Sequence, residues 1–145
     1  MTVGKLCVRD VATASRETTV TEAAMQMRHQ HVGDLVIVER GKPVGVVTDR
    51  DIVIGVIAME LEPSVFTLGD MVLKEPVTCR EDTDVTDCLH QMRTHAIRRM
   101  PVVDKSGMLV GIITVDDLLL LMADELSDVA KLIDREQVME MKTRV

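Results

Sequence analysis

The 145-residue chain has no Trp, no Tyr and one Phe. Proteins that hold single-stranded nucleic acid stack bases on aromatic rings, and those that track a duplex collect its phosphates with surplus cations. Here 17 Lys and Arg face 24 Asp and Glu, a net charge of −7, so both features argue against a nucleic-acid partner. Long apolar runs are lacking too. Ile52 to Met59 and Leu118 to Ala123 are far short of the roughly 20 residues that span a bilayer, so no membrane partner is expected. The opening MTVGKLCVRD mixes charges where a signal peptide needs an apolar region, which points to the cytoplasm. The three cysteines, Cys7, Cys79 and Cys88, are odd in number and show no CxxC spacing, and read as reduced, mostly buried thiols. What is present is an ordinary globular composition, 46% hydrophobic and 28% charged.

The chain is written twice. A shift of 66 residues places Gly41, Val44, Gly45, Thr48 and Asp51 on Gly107, Val110, Gly111, Thr114 and Asp117. Upstream the shift is 65, so that Thr13 falls on Thr78 and Val20 on Val85. Two units are too few for an open solenoid and suggest two equivalent halves packed together. In each half apolar residues recur at helical spacing: Val20, Ala23, Ala24 and Met27, then Val85, Cys88, Leu89 and Met92. Thr19 with Glu22, and Asp84 with Asp87, read as capping pairs at the helix starts. Strands follow at DLVIV and PVGVVT, then at MPVVD and LVGIIT, joined by glycine-containing turns ERGK and DKSG. With a short front strand from ATA or PVTC and a second helix after each hairpin, the pattern is βαββα twice over, an α+β fold. The expected divisions are 1–62 for the first repeat with a hinge at 60–64, 65–123 for the second, and 124–145 for a C-terminal helical extension.

The second helices, IVIGVIAM and LLLLMA, are apolar on all sides and need cover on more than one face. A homodimer is the expected solution, with Leu126, Val129, Leu132, Ile133 and Val138 of the extension adding to the contact.

The doubled TxxD has two readings. Thr48 with Asp51, and Thr114 with Asp117, are spaced as N-cap and N3 residues and can simply cap a helix. Yet each pair follows a glycine at a strand-to-helix junction, where free amides and the positive helix end attract anions. A carboxylate there can accept hydrogen bonds from a vicinal diol while the hydroxyl and amides hold a phosphate. Catalytic readings are weaker. Asp49 with Asp51, and Asp116 with Asp117, could bind Mg²⁺ but are better explained as acids favoured by the dipole at helix starts. His29 with His31, and His90 with His95, do not share a helix face. No Ser-His-Asp or Cys-His constellation is suggested, so the chain is not expected to be an enzyme.

The doubled G-h-h-T-x-x-D, where h is apolar, together with IRRMPVVD before GMLVGIITVDDL, resembles the paired cystathionine-β-synthase (CBS) domains, or Bateman module, from about Val8 to Ala123. VRDV at 8–11 and LGDM at 68–71 match the hxDh piece that opens each half. The resemblance implies two βαββα repeats related by a pseudo-twofold axis, and clefts for AMP, ADP, ATP, NAD or S-adenosylmethionine. It carries the ribose-holding role to Thr48, Asp51, Thr114 and Asp117, the phosphate-facing role to Arg98 and Arg99, and the adenine-bordering role to Thr13 and Thr78. No further cofactor or metal is implied. The implied function is regulatory: ligand occupancy is passed to an unknown effector protein. The alternative is a dimerisation or docking module whose clefts are vestigial.

The halves are not equal. Against Arg98 and Arg99 the first has Val32 and Gly33, then Asp34, with Arg50 as a substitute cation. Asp10 lies ten residues before Val20, while Asp70 lies fifteen before Val85, which suggests a shorter connection in the first half. The second cleft is therefore expected to hold phosphate more tightly.

Overall fold

A computed structural model describes residues 1–71 and 74–144. Two three-stranded sheets are built alike. In the first, β1 (Thr13–Ala14) pairs in parallel with β2 (Asp34–Glu39), which pairs antiparallel with β3 (Lys42–Thr48). In the second, β4 (Cys79–Arg80) pairs in parallel with β5 (Arg99–Val103), and β5 antiparallel with β6 (Leu109–Thr114). The first hairpin turns on Arg40 and Gly41, both at positive φ, the conformation of a tight primed turn. The second takes a longer turn through Gly107 at φ 81°. The change of shift from 65 to 66 arises within these hairpins, because Asp34 opposes Thr48 while Arg99 opposes Thr114.

One helix bridges the parallel strands of each sheet: α2 (Val20–Gln30) and α5 (Val85–His95). Thr19 and Glu22 close a full capping box on α2. The expected pair on α5 works differently, since Asp84 accepts from the Thr86 amide at 2.9 Å and so caps without Asp87. Each helix lays its apolar face on its sheet. Val20, Ala23 and Met27 pack with Leu35, Ile37 and Val47 in the first core. Cys88 and Met92 pack with Met100, Val102 and Ile113 in the second. Cys79 and Cys88 are buried and Cys7 is partly so, all unbridged.

The hairpins lead into the second helices. After β3, α3 (Asp49–Ile52) widens at once into a π-helical turn, Val53–Ile57, where Ala58 donates to the Val53 carbonyl at 2.9 Å and Leu61 to that of Val56 at 3.0 Å. Ile52 and Val56 are buried, while Val53, Ile54 and Ile57 face solvent. After β6, α6 is one unbroken helix, Val115–Thr143, running straight through the expected division at 123/124. Val145, the last residue of that extension, lies outside the described residues.

The two halves exchange their leading segments. The short helix α1 (Val3–Leu6) packs on the second sheet, with Val3 and Gly4 donating to the carbonyls of Thr83 and Glu81 at 2.8 Å. Its counterpart α4 (Leu68–Met71) packs on the first, with Leu68 and Gly69 donating to Thr18 and Arg16 at 2.8 Å. Accordingly Val3 belongs to the second core and Leu68 to the first. The backbones approach so closely that a Cβ on Gly4 would stand 2.9 Å from the Glu81 carbonyl, and one on Gly69 3.0 Å from that of Arg16, which only glycine allows. This overturns the pairing of VRDV with LGDM. The counterpart of LGDM is VGKL at 3–6, and Lys5 stands where Asp70 does. From Lys5 to Val20 and from Asp70 to Val85 the distance is fifteen residues in each case, so the connections are equal in length. VRDV is not helical: Val8 bridges β6 by mutual hydrogen bonds with Ile112, both at 2.9 Å.

Candidate functional site

Both TxxD motifs fold as capping boxes. In the first, the Thr48 amide donates to Asp51 Oδ2 at 2.8 Å and the Asp51 amide to Thr48 Oγ1 at 3.1 Å. In the second, the corresponding distances between Thr114 and Asp117 are 2.9 and 3.2 Å, with the Thr114 hydroxyl also donating to Asp117 Oδ2. A third box, missed in the sequence, is Thr67–Asp70. Thr67 donates to Asp70 Oδ2 from both its amide and its hydroxyl at 3.0 Å. These bonds, the amide's first, hold the Asp70 carboxyl below the usual carboxylate range.

The first and third boxes meet. A cavity of about 530 Å³ is lined by Arg50 and Asp51 of α3, Ile54 and Gly55 of the π turn, Asp70 and Met71 of the exchanged helix α4, and Phe66 and Lys74 on either side of it. Its volume suits a small-molecule ligand. Both carboxylates use Oδ2 in their caps, and Oδ1 of each takes no hydrogen bond among the described residues, leaving an acceptor on each acid. Two cations and two anions share one apolar-floored recess with the chain's sole aromatic ring. Of the residues expected from sequence, Arg50 and Asp51 reach this cavity. Asp70, Lys74 and Phe66 were not anticipated, although TLGD at 67–70 carries the same T-x-x-D spacing that was noticed elsewhere.

The remaining expected residues are placed differently. Thr13 opens β1, its carbonyl accepting from Gln26 at 2.8 Å. Thr78 immediately precedes β4. Neither is among the described residues that line the cavity. Arg98 is exposed, 3.9 Å from Asp116. Arg99 is committed elsewhere: its guanidinium lies 3.0 Å from Asp34 across the halves, with both side chains largely shielded. These are the same position in the two repeats, because Asp34 opposes Thr48 as Arg99 opposes Thr114. The matching of Arg98 and Arg99 with Val32 and Gly33 is thus one residue out of register. Burial pushes the Asp34 carboxyl up, Arg99 draws it down without cancelling that effect, and Asp49 adds to the rise.

Around Asp117 the same construction carries other side chains. Val8 is hydrogen-bonded to Ile112 beside it, and a Cβ on Gly111 would stand 2.7 Å from Cys7 Sγ. The glycine of this motif therefore admits the chain's own leading segment. Burial raises the Cys7 thiol. Among the described residues there is no cluster of three or more His, Cys, Asp or Glu able to hold a metal ion, and no helix is long and apolar enough to cross a membrane.

Comparison with known proteins agrees with this architecture. The family model for the CBS domain matches twice, over residues 3–57 and 68–124. An uncharacterized protein of Methanopyrus kandleri, MK0525, is 38% identical over 120 residues, covering 82% of this chain and 61% of that protein, so the chain spans about three fifths of that relative. The CBS domain protein PAE2072 from Pyrobaculum aerophilum complexed with AMP superposes with a TM-score of 0.75 at 28% identity, covering 86% of this chain and 99% of that one. The CBS domain pair of protein MJ0100, in complex with 5′-methylthioadenosine and S-adenosyl-L-methionine, gives 0.77 at 27% identity, covering 86% and 98%.

Proposed function

The chain belongs to the CBS-domain family, and we propose that it is a regulatory module binding an adenosine-type ligand, one of the AMP, ATP, NAD or S-adenosylmethionine class, in the cavity in front of Asp51. That cavity is the observation on which the reading rests. Asp51 and Asp70 offer two carboxylates to a ribose diol, Arg50 and Lys74 offer cations to a phosphate or carboxylate, and Phe66 offers a ring to a flat base. The two related structures, solved with AMP and with adenosine-derived ligands, support the ligand class. Ligand in this recess touches α3 of the first repeat and the segment that joins the repeats, so occupancy biases their relative setting by as much as its affinity differs between settings. A separate effector protein reads that setting, and the module acts as a homodimer.

The capping boxes favour a second reading, because they give each TxxD a structural use without any ligand. In that reading the clefts are vestigial and the protein only docks or dimerises. Thermal unfolding separates the two. A ligand at a hundred times its Kd adds about 2.7 kcal/mol, roughly 5–10 °C for a domain of this size. A panel of AMP, ATP, NAD and S-adenosylmethionine is expected to yield at least one such shift. If all four leave the midpoint unchanged and mass spectrometry finds no adenosine compound released from the purified protein, the docking reading holds. The absence of Trp and Tyr also makes a co-purified nucleotide visible as a strong 260 nm band.

A further inference from the structure

The recess in front of Asp51 is electrically balanced: Arg50 and Lys74 line it together with Asp51 and Asp70. Among the described residues none of these four side chains enters an ion pair, with one another or with any other group. Arg99, by contrast, is taken up by Asp34 at 3.0 Å. Four uncommitted charges, two of each sign, set a condition on the ligand. A phosphomonoester carries about −1.5 to −2 charges at pH 7, so that in one recess the two carboxylates oppose what the two cations offer it. A ligand carrying both signs uses all four.

The capping bonds divide the work. Asp51 accepts one bond in its box, from the Thr48 amide, and a carboxylate has about four lone-pair sites. It therefore serves a ribose diol alone. Asp70 is left over. Its Oδ2 takes both bonds from Thr67, which hold it ionised, and its Oδ1 takes none among the described residues, so it presents a full negative charge with a vacant acceptor. AMP and ATP have no cation to place there. An adenosyl compound whose 5′ substituent ends in an α-amino acid has one, and carries beside it the carboxylate that Arg50 and Lys74 call for. The second repeat has Lys5 at the position of Asp70, so this demand belongs to the first recess.

We infer that the recess takes an adenosyl compound with an amino-acid tail, S-adenosylmethionine or its thioether S-adenosylhomocysteine, with the tail's carboxylate on Arg50 and Lys74 and its ammonium on Asp70. This rests on the adenosine reading of the cavity and narrows it, making Asp70 the residue that sets specificity. Titration calorimetry of the full chain with S-adenosylhomocysteine, 5′-methylthioadenosine, AMP and NAD tests it. The two thioethers differ by the tail alone, and S-adenosylhomocysteine is expected to bind at least about tenfold more tightly than the other three, the worth of one charge-assisted hydrogen bond. Asp70→Asn keeps an oxygen for the Thr67 cap. It should cost S-adenosylhomocysteine about tenfold and leave 5′-methylthioadenosine unchanged. Lys74→Met, outside any cap, should do the same through the carboxylate, and decides the matter if Asp70→Asn does not fold. If none of the four compounds binds, the adenosine reading and this inference fall together. If AMP, NAD or 5′-methylthioadenosine matches S-adenosylhomocysteine, or if both variants leave the preference for the tail intact, this inference alone is overturned. Equal losses for both thioethers in Asp70→Asn would make Asp70 a structural cap only and overturn its assignment to the ammonium.

Discussion

Thr48 with Asp51 and Thr114 with Asp117 close the same hydrogen-bonded ring to within 0.1 Å, but the side chains that surround the two rings share little. Carrying the first cavity's lining across the repeat puts Asp116 for Arg50, Leu121 for Gly55, Met1 for Phe66, Lys5 for Asp70 and Arg9 for Lys74. Arg9 in turn is bound to Glu81 at 3.1 Å and to the carbonyls of Gly4 and Val110. The box is a property of the repeat, because any strand that turns sharply into a helix needs its first amides satisfied. Ligand chemistry is a property of the surroundings, and those differ. Of the cations that the sequence placed beside the second cleft, Arg99 is drawn off to Asp34 and Arg98 stands exposed, while Arg50 and Lys74 line a cavity in the first. On this basis we propose the first repeat as the anion-holding side, where Arg98 and Arg99 in the sequence pointed to the second.

The contrast is broken or sharpened most strongly by removing each acid. Asp51→Ala is expected to weaken AMP by about 10- to 100-fold in titration calorimetry, the value of a charge-assisted hydrogen bond of roughly 1.5–3 kcal/mol, while Asp117→Ala leaves affinity within about twofold. Both lose a cap, so both should lower thermal stability by a similar amount, about 0.5–2 kcal/mol. Equal affinity losses would erase the asymmetry. A smaller effect is expected from giving the first cleft the second one's charge: Arg50→Asp should cost AMP about tenfold and adenosine little, as a phosphate-specific contact requires. The converse Asp116→Arg should create no new site detectable by the same titration.

The smallest effect concerns pH. The raised Asp34 carboxyl contributes stability below the ordinary carboxylate range, and this is lost as pH rises through its folded value. Asp70 and Asp84 are lowered and act oppositely, contributing above that range and losing it as pH falls. In the wild type Asp34 therefore offsets part of the acid loss. Asp34→Asn removes the offset, so its melting temperature should fall more steeply than the wild type's between pH 6 and pH 3. Parallel curves would show that the Arg99 pair cancels the effect of burial on this carboxyl, and a shallower fall that the pair outweighs it.

The elements themselves were legible because local chemistry and global fold agree. Thr19 and Glu22 close the box their spacing predicts, and the glycine turns fall at 41 and 107 with positive φ. Leading segments were misread for a physical reason. The search for an aspartate selected VRDV, whereas the invariant of the position is the glycine that lets two backbones touch, at Gly4 and Gly69. Asp70, Lys74 and Phe66 were not read as site residues because they enter the cavity from a segment more than a dozen residues from Asp51, and no local spacing links them. The Asp34–Arg99 pair was readable in principle, since equal repeat positions near a pseudo-twofold axis face one another. The single-residue slip in the hairpin hid that equality.

The exchange of α1 and α4 has a bearing on how such a chain could arise. A lone repeat beginning at its own short helix would leave the carbonyls of the turn after its first strand, at 16–18 or 81–83, without the amides that cover them, and two separate copies could satisfy each other only by swapping those helices. Tandem duplication turns that encounter between molecules into one within a molecule, at the millimolar effective concentration a short tether provides. The fused gene product is in this sense a domain-swapped dimer made permanent by a peptide bond.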